Sequence, residues 1–184
     1  MFDPASVNPV DIGRRARSFA AEAYGSDRDL DHPTEVAQLV GSGDQELEAA
    51  AILHDLVEDT DIDVPQIEAE FGPRITALVQ AMTEDGSIED YGKRKQEHRI
   101  RARDAGRDVA LLFTADKLSN ARRMRRGEKK TERSKLEHYR RTLETMRAAY
   151  PDLPLLDELE KELALTGLLE TPLRAPASRP GARA

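Results

Sequence analysis

Helical periodicity runs through almost the whole chain and leaves little room for another architecture. Apolar residues recur at intervals of three and four at Ile12, Ala16, Phe19, Ala20 and Ala23, the spacing that gathers them on one helix face. Pro33 opens a second helix, with Glu35 in its first turn and Val36, Ala37, Leu39 and Val40 behind it. GSGD breaks that helix, and Asp44 caps a third, which the pattern carries to about Thr60. Asp63 is placed to cap a short helix ending near Phe71 and Gly72, and Pro73 starts another with Ile75, Leu78, Val79 and Met82 on one face. TEDGSIED reads as a loop. A highly charged helix is expected from Tyr91 to Ala105, ended by Gly106, with Asp108 capping DVALLFTADKLSNARRM. Two more follow, from about Glu132 to Ala149 and Leu155 to Leu165. Short alternating apolar runs are missing, and the one β-like stretch, Val109 to Phe113, sits inside a helical pattern. The expectation is an all-α single domain over 11–170, after a lead over 1–10. A tail over 171–184, rich in Pro, Ala, Arg and Gly, is expected to be disordered.

Aromatics make up 4% of the 184 residues, so the core has to be built from Leu, Ile, Val and Ala. No run approaches the roughly 18 to 20 apolar residues of a membrane span. The opening MFDPASVNPVDIGRR lacks the order of a secretory signal, so a cytoplasmic setting is the simplest expectation. There are no cysteines, and a metal site would have to use His, Asp and Glu. The net charge of −7 argues against general nucleic-acid binding. Acidic residues crowd between Asp27 and Asp90, basic ones between Lys93 and Arg103 and between Arg122 and Lys130.

The stretch AAILHDLVEDT, Ala50 to Thr60, is the one that demands a chemical explanation. On one continuous helix His54 sits below Glu58 and Asp55 below Asp59, since residues four apart share a face. Ala49, Ala50, Ile52, Leu53, Leu56 and Val57 surround them with apolar positions. Carboxylates in such a setting are costly unless paired or bound to a cation. His32, before Pro33, and Asp116, inside an apolar run, are of similar kind. A partner for Asp116 could equally be Lys117 or Arg122.

The order His32, His54-Asp55, Asp116 resembles the HD-domain metal phosphohydrolases. HPTEVAQLV, AAILHDLVEDT, FGPRITALVQAMTED and ADKLSNARRM resemble more closely the hydrolase domain of the RelA/SpoT alarmone enzymes and the stand-alone small alarmone hydrolases. The resemblance spans about Phe19 to Met124 and implies an HD-type helical bundle. It also implies that His32, His54, Asp55 and Asp116 ligate one divalent metal, usually manganese. By the same resemblance, Glu58 and Asp59 orient and deprotonate the attacking water, and Asn120 contacts the nucleotide. The implied reaction removes the 3′-pyrophosphate from guanosine 3′,5′-bis(diphosphate). Lys93, Arg94, Lys95 and Arg99 are candidates to neutralise phosphate charge, against the alternative of a solvated helix face. Arg28 is the candidate for a substrate-contacting arginine.

Three positions depart from the family pattern: Leu30 stands for a tyrosine, Ser119 for a larger His or Tyr, and Thr114 for an aliphatic residue. All are expected on the side that holds base and ribose. Two other readings stay open: an HD phosphohydrolase acting on another nucleotide or NADPH, and a non-catalytic helical module binding a nucleotide or a protein, with Arg122 to Lys130 as its contact surface. The C-terminal repeats of leucine are read either as packing faces or as a dimer surface of a homo-oligomer.

Overall fold

The computed structural model describes residues 9–25 and 30–166. Among them there are nine helices and no strand: α1 (Pro9–Tyr24), α2 (Asp31–Val40), α3 (Gln45–Leu53), α4 (Leu56–Asp59), α5 (Val64–Met82), α6 (Tyr91–Asp104), α7 (Arg107–Arg125), α8 (Arg133–Ala149) and α9 (Leu156–Leu165). The fold is the expected all-α one. The tail over 171–184 and most of the lead lie outside the described residues, as does Arg28. None of the described helices is long and apolar enough to cross a membrane.

Local chemistry starts and stops these helices. Asp44 accepts from the backbone N–H groups of Glu46 and Leu47 at the start of α3. Asp63 and Gln66 form a reciprocal capping box at α5, and Asp90 accepts from Lys93 N–H at α6. Two expectations need correction, and a third holds. Asp108 does not cap α7: Gly106 stands at that position, and Asp108 faces Arg74 at 3.3 Å. The break expected at Gly72 is present inside α5, where φ 82° and ψ 175° interrupt the helix between Phe71 and Pro73, a conformation essentially reserved for glycine. The third helix does not run to Thr60. It ends at Leu53, and His54 and Asp55 form a turn before the single-turn α4. The physical reason is local: His54 Nδ1 lies 2.8 Å from the Ala51 carbonyl, the acceptor that Asp55 N–H would use in a continuous helix.

Helix α7 is the axis of the bundle and packs on α2, α3, α5, α6, α8 and α9. It is buried nearly all round from Val109 to Ala121, as expected for a central helix. Leu112, Phe113 and Leu118 belong to one buried apolar core with Leu53, Ile75, Leu143, Met146 and Leu159. Leu136, Leu143 and Met146 of α8 and Leu156, Leu159 and Leu163 of α9 are buried inside the chain, so the C-terminal leucine repeat serves internal packing. The same axis buries Asp116, Lys117, Ser119 and Asn120. Polar groups in such a position have to be matched.

Candidate metal centre

Three separate segments supply the cluster. His32 comes from the first turn of α2, His54 and Asp55 from the turn between α3 and α4, and Asp116 from the middle of α7. Both α2 and α3 pack on α7. His32, His54 and Asp116 each offer a ligand atom within 4.8 Å of the others. His32 Nε2 is 3.2 Å from Asp116 Oδ1 and 3.7 Å from Asp55 Oδ2. His54 Nε2 is 3.1 Å from Asp55 Oδ1 and 3.9 Å from Asp116 Oδ1.

Hydrogen bonding leaves these nitrogens open. The Ala51 carbonyl can only accept, so neutral His54 carries its proton on Nδ1 and its lone pair on Nε2. His32 Nδ1 is 2.9 Å from Ser119 Oγ. Both Nε2 atoms are buried without a hydrogen-bond partner. Two imidazole lone pairs facing two carboxylates, with no thiolate nearby, fit a divalent cation.

The charges support the same fit. Burial opposes ionisation of Asp116, yet the Lys117 ammonium and the two imidazoles hold it well below the usual carboxylate range. Burial likewise opposes ionisation of Asp55, and His54 overcomes it. Burial disfavours a charged His54, but Asp55 and Asp116 push its pKa up to about 9. A cation entering the cluster therefore displaces a proton from His54. Asp116 makes its ion pair with Lys117, whereas Arg122 turns to Glu158 and Glu35. Asn120 Nδ2 donates to Asp116 Oδ1 at 2.5 Å, and its Oδ1 accepts from Lys129 Nζ at 2.6 Å.

Glu58 and Asp59 ride on α4 and line the same cavity, of about 250 Å³. Because α3 ends at Leu53, they reach it across a corner rather than along one stripe. Glu58 Oε1 accepts from the Glu84 backbone N–H at 2.6 Å, which orients the carboxyl. Desolvation raises the Glu58 pKa, as do the neighbouring Asp55 and Glu84 carboxylates.

Of the four cations expected from α6, the structure brings Lys95 to the cavity wall. Lys93 lies on the opposite side of that helix, in a groove with Gln96 and Ile100. Arg94 turns to Glu84 and the Ile88 carbonyl, and Arg99 is buried, donating to His138 Nδ1. One helix offers the cavity only one face. Sequence reasoning missed Lys117, Lys135, Tyr91, His138 and Tyr139 as wall residues, and took Arg123 and Lys129 for part of an outward contact surface. Each wall cation has a partner: Lys95 with Glu84, Lys117 with Asp116, Arg123 with Glu128, Lys129 with Asn120, and Lys135 with Glu132. Arg125 and Arg126 pair with Glu162 and Glu35.

The three positions that depart from the family pattern have different surroundings. Leu30 packs against the core. Thr114 is fully buried and donates to the Ala110 carbonyl. Ser119 faces His32.

Comparison with known proteins agrees with this arrangement. The model of the HD domain family matches residues 15–143. The guanosine-3′,5′-bis(diphosphate) 3′-pyrophosphohydrolase MESH1 of Danio rerio is 34% identical over 123 residues, covering 59% of this chain and 67% of that protein. The guanosine-3′,5′-bis(diphosphate) 3′-pyrophosphohydrolase of Aquifex aeolicus is 34% identical over 119 residues, 59% of this chain but only 17% of that longer protein. A solved structure of a metazoan ortholog of SpoT, described as hydrolysing ppGpp and acting in starvation responses, superposes with a TM-score of 0.71 at 26% identity, covering 89% of this chain and 100% of that one. The family match begins in α1, ends in α8 and takes in every helix that contributes to the cluster, and the chain belongs to the HD domain family.

Proposed function

We propose that this chain is a metal-dependent hydrolase that removes the 3′-pyrophosphate from guanosine 3′,5′-bis(diphosphate) in the cytoplasm. The observation that carries the reading is the pair of buried, unpartnered Nε2 atoms of His32 and His54, turned toward Asp55 and Asp116 beside an oriented Glu58. The substrate follows from relatives that bear this activity in their names.

In this reading His32, His54, Asp55 and Asp116 hold one divalent cation, manganese by the family resemblance, an ion with which nitrogen and oxygen donors are compatible. Such an ion supplies Lewis acidity, drawing charge from a phosphoryl oxygen and making water more acidic. Glu58, with its raised pKa, accepts the proton of the attacking water. Asp59 helps to orient that water. Lys95, Lys117 and Lys135 stabilise charge on the phosphates from the facing wall. Asn120 steadies Asp116 and offers its amide to the nucleotide.

The test is pyrophosphate release by the purified protein with Mn²⁺ on a panel of guanosine 3′,5′-bis(diphosphate), NADPH and common nucleotides. Asp55→Ala is expected to lose turnover by at least about a hundredfold with helical content unchanged by circular dichroism. Full activity in that variant sinks the assignment of the site. Activity confined to another compound keeps the site and discards the alarmone.

A further inference from the structure

His32 and His54 are held toward the cluster by different means. The partner of His54 is a backbone carbonyl. The partner of His32 is a side chain, Ser119, which is fully buried on α7 and whose hydroxyl also contacts Glu35 Oε2 at 2.9 Å. Glu35 lies one turn after His32 on α2 and is gripped by Arg126 at 3.3 Å and Arg122 at 3.9 Å.

The polarity of this chain is forced. A carboxylate can only accept, so the single hydroxyl proton of Ser119 goes to Glu35. The Ser119 oxygen can then only accept from His32, which puts the imidazole proton on Nδ1 and the lone pair on Nε2. We infer that Ser119 and Glu35 are positioning residues that fix the tautomer and direction of His32, so that its Nε2 is a ready metal donor. The inference rests on the metal site described above but not on the identity of the nucleotide. Buried partners of this kind typically alter metal affinity by about 10- to 100-fold.

The experiment is a Mn²⁺ titration of the nucleotide-free protein by calorimetry, with electron paramagnetic resonance of free Mn²⁺ as a second reading. Ser119→Ala should bind Mn²⁺ about 10- to 100-fold more weakly, with the melting temperature of the metal-free protein close to that of the wild type. Ser119→Thr keeps the hydroxyl and should restore binding. Glu35→Ala removes the acceptor at a partly exposed position, outside the apolar core. The Ser119 proton is then free to turn to His32 Nδ1, which places the imidazole proton on Nε2, and the affinity should fall, whereas the amide oxygen of Glu35→Gln can still accept from Ser119 and should keep it. Wild-type affinity in either Ser119→Ala or Glu35→Ala overturns the inference while leaving the metal site standing. A wild-type protein that binds no Mn²⁺ overturns both. Neither outcome depends on hydrolysis of the alarmone.

Discussion

Glu58→Gln should lower turnover by about two to four orders of magnitude, the usual worth of a positioned general base, and leave Mn²⁺ affinity and folding unchanged. The amide keeps the shape of the side chain and its contact with Glu84 N–H but cannot take a proton. The pH profile gives a second reading. Glu58 acts only when deprotonated, and desolvation, with the Asp55 and Glu84 charges, raises its pKa. Activity should therefore fall as pH drops through that raised value, giving kcat/KM an acid limb shifted upward from that of an ordinary glutamate. The residual activity of Glu58→Gln should lack that limb. Wild-type turnover in the variant would remove Glu58 from the chemistry.

Asp116→Ala should be the most destabilising single change at the site. It leaves Lys117 buried without its carboxylate, its ammonium 4.3 Å from the centre of the Phe113 ring. Breaking a buried ion pair in this way typically costs about 3–5 kcal/mol, measurable as a lower urea midpoint in the metal-free protein. The double variant Asp116→Ala, Lys117→Met removes both charges and should recover much of that stability. It should not recover Mn²⁺ binding, because the carboxylate is gone. An Asp116→Ala protein as stable as the wild type would show that Lys117 finds another partner.

The helices were legible because their ends are written in single residues. Asp44 and Asp63 each bond the backbone they were expected to cap, while Asp90 caps α6 without having been singled out. The break at His54 was not legible, since the apolar pattern continues through it and the cause is a side chain turned onto the Ala51 carbonyl. In the cluster, a histidine and an aspartate adjacent in sequence announce themselves. The cavity wall does not, because Lys135, His138 and Tyr139 reach it only through the packing of α8 on α6 and α7. Charge alone could not separate Lys95 from Lys93 or Arg99, where the phase of the helix decides. Ser119 stood out only as a departure from the family pattern, and nothing tied it to His32, as a serine in a buried helix ordinarily bonds its own backbone.

The matched cations of the cavity wall bear on how a polyanion enters. Lys95, Lys117, Arg123, Lys129 and Lys135 already have a carboxylate or amide partner, so an incoming diphosphate exchanges partners instead of neutralising bare charge. Few condensed counterions surround such a wall, and few are released on binding. KM for an anionic substrate should accordingly change little with ionic strength, in contrast to sites that attract their ligand by a long-range positive field.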